Sequence, residues 1–288
     1  MDDILENLKI RKLNLSEVRR LVYWAELEGW NPSDEDAEAF YETDPEGFVG
    51  YFFDNEMIAG GSIVSYNDDF GFMGFFIVKP EYRSKGIGRK LWYERRNMLI
   101  SRLKPGATIG MDGVVAMQPF YAKGGFELAF RDERFERIGG GYNYDNRIIE
   151  FSADDLEIIL EYDKKCFGYE RRKFMNRWIN LNESKRFMFI DDGQLRGFAI
   201  TRRVKKGFKI CPLFADDSFI ADELYKACLN SAPNLPVYLD IPVINPAAVE
   251  LVKKYNATYV FECARMYYGS KPEIDINSIY GITTYELG

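Results

Sequence analysis

Apolar positions recur along the chain with two periods, and the two alternate in a fixed order. Tyr51-Phe52-Phe53, the polar break Asp54-Asn55-Glu56 and Met57-Ile58-Ala59-Gly60 predict a β-hairpin. Phe187-Met188-Phe189-Ile190, Asp191-Asp192-Gly193 and Leu195-Arg196-Gly197-Phe198-Ala199 predict a second one. A strand follows each hairpin, from Gly71 to Val78 and from Gly207 to Phe214. The spacing then changes to that of an amphipathic helix, with Ile87, Leu91, Met98 and Leu99 in one case and Ile220, Leu224, Ala227 and Cys228 in the other. A further strand closes each series: Ile109-Gly110-Met111-Asp112 matches Val237-Tyr238-Leu239-Asp240. The matches keep one order, so the chain reads as two related α+β halves.

Helix-start signals agree. Asn14 with Glu17, and Ser152 with Asp155, have the spacing of an N-cap and its acidic partner. Val18, Leu21, Val22 and Ala25 follow the first as a core-facing stripe. Ser33 with Asp36 predicts another helix after Gly29-Trp30-Asn31-Pro32. Gly139-Gly140-Gly141 is the strongest punctuation near the midpoint and places a domain boundary there, giving units 1–140 and 141–288.

Composition narrows the chemistry. The 288 residues contain no histidine, which excludes Ser-His-Asp and Cys-His catalysis and any zinc site built on imidazole. Cys166, Cys211, Cys228 and Cys263 form no C-x-x-C pair, so no metal is expected, and scattered thiols suit a reducing, cytoplasmic setting. A net charge of −7 argues against a nucleic-acid partner and is compatible with a cationic one. No secretory leader pattern stands at the first residues, and no apolar run approaches the roughly 18 residues of a membrane helix, so no membrane association is expected.

The stretch Phe75-Phe76-Ile77-Val78-Lys79-Pro80-Glu81-Tyr82-Arg83-Ser84-Lys85-Gly86-Ile87-Gly88-Arg89-Lys90 carries the chemistry. A bulky strand ends at a proline, and a basic loop with two glycines opens a helix. Unpaired N–H groups and the helix dipole at such an N-terminus favour an anion, and Gly86 and Gly88 let the backbone come close. The spacing fits neither the Walker loop nor the Rossmann fingerprint. About 30 residues later stands Gln118-Pro119-Phe120-Tyr121-Ala122-Lys123-Gly124-Gly125-Phe126.

The R-x-x-G-x-G loop between strand and helix, followed in order by Tyr-x-x-Gly-Gly-Phe, resembles the GNAT acetyltransferase superfamily. Gly29 to Pro32, Asp44 to Phe48, Leu239 to Pro242 and Ala264 to Met266 extend the resemblance to a two-domain subfamily over the whole chain. It implies two tandem GNAT-like domains, each a mixed, mostly antiparallel sheet flanked by helices. It also implies that Phe76, Ile77, Val78, Arg83, Ser84, Lys85, Gly86, Ile87, Gly88 and Arg89 hold acetyl-CoA, with Gln118 and Lys123 as further contacts, and that Tyr121 faces the sulfur. The second half departs from the pattern: Asp216-Asp217-Ser218 stands where the basic loop would be, and Tyr255-Asn256-Ala257-Thr258 where the second motif would be. One acyl-CoA site is therefore expected, in the first half, with the second half a degenerate copy.

Acyl transfer to an amine needs a neutral amine, donors for the thioester oxygen and a donor for the leaving thiolate. The backbone N–H of Ile77 or a neighbour is the candidate for the oxygen, and Tyr121 for the sulfur. With no histidine, the base must be a carboxylate, a tyrosine or a water chain. Asp112 is the first candidate and Asp240, its repeat counterpart, the second; either could instead be a hydrogen-bonding strand-end residue. Trp24, Trp30 and Asn31 are candidates for the acceptor pocket or for core and loop anchoring. The reading is an N-acetyltransferase acting on a primary amine of a small molecule or peptide, as monomer or homodimer. The alternatives are a non-catalytic acyl-CoA sensor and a scaffold with an incidental loop.

Overall fold

The computed structural model describes residues 2–288. In the first half, α1 (Asp2–Asn7), β1 (Lys9–Lys12), α2 (Leu15–Leu27) and α3 (Asp36–Thr43) lead into the hairpin of β2 (Phe48–Phe53) and β3 (Glu56–Ser65). β4 (Phe70–Val78), α4 (Ile87–Arg102), β5 (Thr108–Val114), α5 (Gln118–Lys123) and β6 (Glu127–Ile138) follow. The second half runs through β7 (Ile148–Glu150), α6 (Leu156–Phe167) and α7 (Arg172–Trp178) to the hairpin of β8 (Ser184–Asp191) and β9 (Gln194–Arg203). It continues with β10 (Phe208–Ala215), α8 (Ser218–Asn230), β11 (Pro236–Pro242), α9 (Pro246–Lys254), β12 (Thr258–Tyr268) and β13 (Ile279–Gly281).

Local chemistry accounts for these elements. Both hairpins turn on two residues of positive φ, Asp54 and Asn55 (48° and 64°) and Asp192 and Gly193 (48° and 73°), as a type I′ turn requires. Asn14 caps α2 in a complete capping box with Glu17. The Ser152 and Asp155 box forms too, on a short 3-10 turn that precedes α6. The Ser33 and Asp36 signal needs correcting. The helix there begins only at Asp36, and no side chain caps it. One Asp36 oxygen accepts from the Ser33 N–H, and the other pairs with buried Arg202 of β9. Asp36 thus keeps the local return bond on one oxygen and answers the guanidinium with the other.

The described residues form one 13-stranded sheet in the order β1-β2-β3-β4-β5-β12-β6-β11-β10-β9-β8-β7, with β13 beside β10. Two pairs, β4 with β5 and β10 with β11, are parallel, and the rest are antiparallel. The centre holds an exchange. β12 of the second half lies on β5 of the first, and β6 of the first lies on β11 of the second. The two exchanged strands pair with each other in the middle. The segments on either side of Gly139-Gly140-Gly141 therefore share one sheet. α4 packs on β3 and β4, and α8 packs on β9 and β10. The segment 282–288 runs into the interior, where Tyr66 donates to the Leu287 carbonyl at 2.8 Å and Arg171 to the Gly288 carbonyl at 2.7 Å. No helix among the described residues is long and apolar enough to cross a membrane.

Candidate active site

A seam opens in the sheet between β4 and β5. Their parallel pairing runs only from Phe70 opposite Thr108 to Met73 opposite Met111. Beyond it, Gly60 and Ser62 of β3 face Ile77 and Gly74 of β4, so β3 spends one residue where β4 spends two, Phe75 and Phe76. This bulge bends β4 away from β5. Phe75 adopts φ 47°, a sparsely populated conformation for a bulky residue, at that point. Phe75 turns toward Trp30 and Phe40, with ring centroids at 6.2 and 5.6 Å. Phe76 turns the other way, toward α4, with its ring 5.6 Å from the Arg95 guanidinium. Both residues line one cavity of about 890 Å³, which thus reaches both faces of the sheet.

The basic loop lies at one mouth of this cavity. Gly86 (φ 81°) and Ser84 (φ 60°) both take left-handed backbone, and α4 starts at Ile87 with no side-chain cap among the described residues. Its first N–H groups are thus left for another acceptor. Gly88 sits over Phe76 and Val78, where a Cβ would already be 3.4 Å from each. The counterpart helix is different: the Asp217 carboxylate caps α8, accepting from the Ile220 N–H at 2.9 Å. A negative side chain occupies that N-terminus already.

The basic side chains of the loop divide their work. Arg83 donates to the Val78 carbonyl at 2.9 Å and pairs with Glu28, which ties the loop to the end of α2. Lys85 donates to the Glu81 carbonyl and Lys90 to the Leu5 carbonyl. Arg89 extends over the Tyr93 ring and lines the cavity. Phe76, Ile77, Val78, Arg83, Ser84, Gly88 and Arg89 all line it; Lys85, Gly86, Ile87, Gln118 and Lys123 do not.

Tyr121 stands across the seam on α5. Its ring stacks on Trp92, 5.8 Å between centroids, and covers Gly113 of β5, where a Cβ would be only 2.6 Å from the ring. Glycine at 113 is what lets the tyrosine lie against the strand. Burial pushes the Tyr121 phenol up to about 12, against the opposing charge of Arg95. It stays protonated at neutral pH and is available as a donor.

Both candidate bases sit in buried ion pairs made across the exchanged strands. Asp112 of β5 accepts two bonds, at 2.7 and 2.8 Å, from Arg265 of β12. Asp240 of β11 accepts two, at 2.6 and 2.8 Å, from Arg134 of β6. Asp112 lines the cavity and Asp240 does not. Burial raises the Asp112 carboxyl despite Arg265. At Asp240 burial pushes upward as well, but Arg134 prevails and the carboxyl ends below its usual range.

The acceptor candidates separate. Trp30 lines the cavity. Trp24 is a buried core residue of α2 outside it. Asn31 (φ 56°) clamps the second half, accepting from the Lys206 N–H at 2.8 Å and donating to its carbonyl. Glu286, Cys263 and Arg95 are among the lining residues that went unforeseen. Glu286 comes from the segment 282–288, where its backbone carbonyl fills the space a Gly74 side chain would need. Cys263 contributes a thiol that burial holds well above its usual range. Arg95 had a visible signal: it interrupts the apolar stripe of α4 between Leu91 and Leu99.

The acetyltransferase (GNAT) family profile matches residues 15–126, and a second acetyltransferase (GNAT) domain profile matches residues 159–281. The chain is a tandem member of the GNAT family. This GNAT protein is 28% identical over 278 residues to the holothin acyltransferase of a Pseudoalteromonas species, spanning 96% of this chain and 92% of that one. A putative acetyltransferase from Pyrococcus horikoshii shares its fold with a TM-score of 0.84 at 23% identity, over 98% and 96% of the two chains. A tandem GNAT protein from the clavulanic acid biosynthesis pathway superposes with a TM-score of 0.63 at 10% identity, over 92% of this chain and 99% of that one. The tandem GNAT architecture and an acyltransferase activity with an acceptor substrate follow from these matches.

Proposed function

We propose that this GNAT protein transfers an acetyl group from acetyl-CoA to a primary amine of a small molecule or peptide, at the seam between β4 and β5. The observation that carries the reading is the contrast between the two related helices. α4 opens with glycines and no cap beside a cavity, whereas α8 is closed by Asp217. Acetyl-CoA, when bound, supplies the acyl group as an activated thioester.

The residues take their roles by position. The N–H groups at the start of α4, with Arg89, hold the pyrophosphate, and Arg83 keeps the loop in place through Val78 and Glu28. Ile77 and Val78 lie on the stretch of β4 that has left β5; Lys79 donates to the Ile58 carbonyl of β3, so by alternation the N–H of Val78, the neighbour of Ile77, faces the seam and is the donor we assign to the thioester oxygen. Tyr121 donates to the leaving sulfur. A phenol held near 12 does not give up its proton fully to a thiolate of ordinary pKa about 8.5, so its part is a hydrogen bond. For the amine proton, the lining offers Asp112 and Glu286. Asp112 is the weaker acceptor, because Arg265 occupies both its oxygens.

The engagement of Asp112 and Asp240 favours one second reading, a protein that binds acyl-CoA without turnover. Isothermal titration with acetyl-CoA tests both. Wild-type protein is expected to bind with micromolar affinity near one site per chain, and an Arg83→Glu, Gly86→Glu variant not at all. Folded wild type that does not bind acetyl-CoA refutes the assignment. Binding with no turnover across a panel of amines selects the second reading.

A further inference from the structure

α4 turns a row of side chains toward the sheet. Ile87, Leu91 and Leu99 in that row are fully buried apolar residues, and Arg95 stands among them with 1% exposure. Its Nη2 donates to the carbonyls of Ser62 and Gly74. Among the described residues, Nε and Nη1 have no hydrogen-bond partner and no carboxylate pairs with the guanidinium. The sheet makes room for it: a Cβ on Gly61 would fall 2.2 Å from its central carbon. A buried charge without a counter-charge is costly, and a leucine at this position would complete the stripe at no such cost. The unpartnered group also lines the cavity, beside Gly74, where β4 leaves β5.

We infer that Arg95 is the counter-charge for a carboxylate at the far end of the transferred acyl group, so the preferred donor is the CoA thioester of a short dicarboxylic acid. The inference rests on the acyl-CoA reading above and replaces the acetyl group named there with a short dicarboxylic acyl group. The face of the sheet decides between donor and acceptor. Arg95 shares its side with Phe76, Gly88 and Tyr121, the donor side, whereas Trp30 and Phe75 turn to the other. The position along α4 decides against the phosphates of CoA. Eight residues separate Ile87 from Arg95, roughly 12 Å of helix, too far for a pyrophosphate held at the N-terminus. A guanidinium with free N–H donors in a dry site matches a carboxylate in charge and geometry.

Titration calorimetry with thioesters of matched length tests this: malonyl-CoA against propionyl-CoA, and succinyl-CoA against butyryl-CoA. Wild-type protein is expected to bind one of the carboxylate thioesters about tenfold or more tightly than its neutral match. Arg95→Met is expected to abolish that preference while keeping acetyl-CoA affinity within about threefold. The wild-type comparison needs no variant, so a poorly folded Arg95→Met protein leaves the test decisive. Equal affinity for both members of each pair overturns the assignment, as does a preference that survives in Arg95→Met. Failure of every thioester to bind removes the acyl-CoA reading itself, and this inference with it.

Discussion

Removing Arg265 should show how the two halves hold together. Arg265 lies directly across from Asp112, with two hydrogen bonds between them and side-chain exposures of 6% and 0%. Asp132 is close by, fully buried, with neither carboxylate oxygen partnered among the described residues; burial, and then the charge of Asp112, hold it well above the usual carboxylate range. Arg265→Met would leave both carboxyls without their cation. Breaking a buried pair from one side costs about 3–5 kcal/mol, because the remaining charge stays desolvated. Asp112 is already raised with Arg265 present, and its folded pKa would rise further without it. The native variant then binds more protons than the unfolded chain, so its stability falls as pH rises from the unfolded value of about 3.9 toward the folded one. Urea unfolding followed by circular dichroism should therefore give a larger deficit at pH 8 than at pH 5. The double variant Asp112→Leu, Arg265→Met should recover at least half the loss, since only Asp132 then remains without its cation, and without the repulsion of Asp112 beside it. A single variant within about 1 kcal/mol of wild type, or a deficit equal at both pH values, would refute this account of the pair.

Two further outcomes follow from the same geometry. Tyr121→Phe should lower kcat by roughly a hundredfold while acetyl-CoA affinity by calorimetry stays within about threefold; an unchanged kcat would remove the phenol from the chemistry. A fragment of residues 1–140 lacks β12, which lies between β5 and β6, and so should show no cooperative unfolding transition on its own. A sharp transition in that fragment would mean its sheet can close without the exchange.

What the sequence conveyed and what it withheld divide by range. The hairpins, the capping boxes at Asn14 and Ser152 and the basic loop are set by residues a few positions apart, and periodicity and turn chemistry read them directly. The exchange of β6 and β12 depends on which distant strands pair, and no local pattern encodes that. The same gap hid the partners of Asp112 and Asp240: each aspartate is matched by an arginine of the other half. Asp36 shows the reverse case, where a residue of a cap signal keeps its local bond to Ser33 and also answers a distant guanidinium. Arg95 was legible as a break in a stripe, but only the structure shows that no carboxylate among the described residues answers its charge.

The seam has a kinetic consequence. A cavity open to both faces of the sheet lets two reactants sit in it together, one from each side. Cys263 is in its lining, yet its buried thiol is held protonated and cannot serve as a way-station for the acyl group. Transfer in one complex, with both reactants present, is then the route the architecture allows. Reciprocal plots of initial rate at several fixed amine concentrations should intersect, where a shuttle through the protein would give parallel lines.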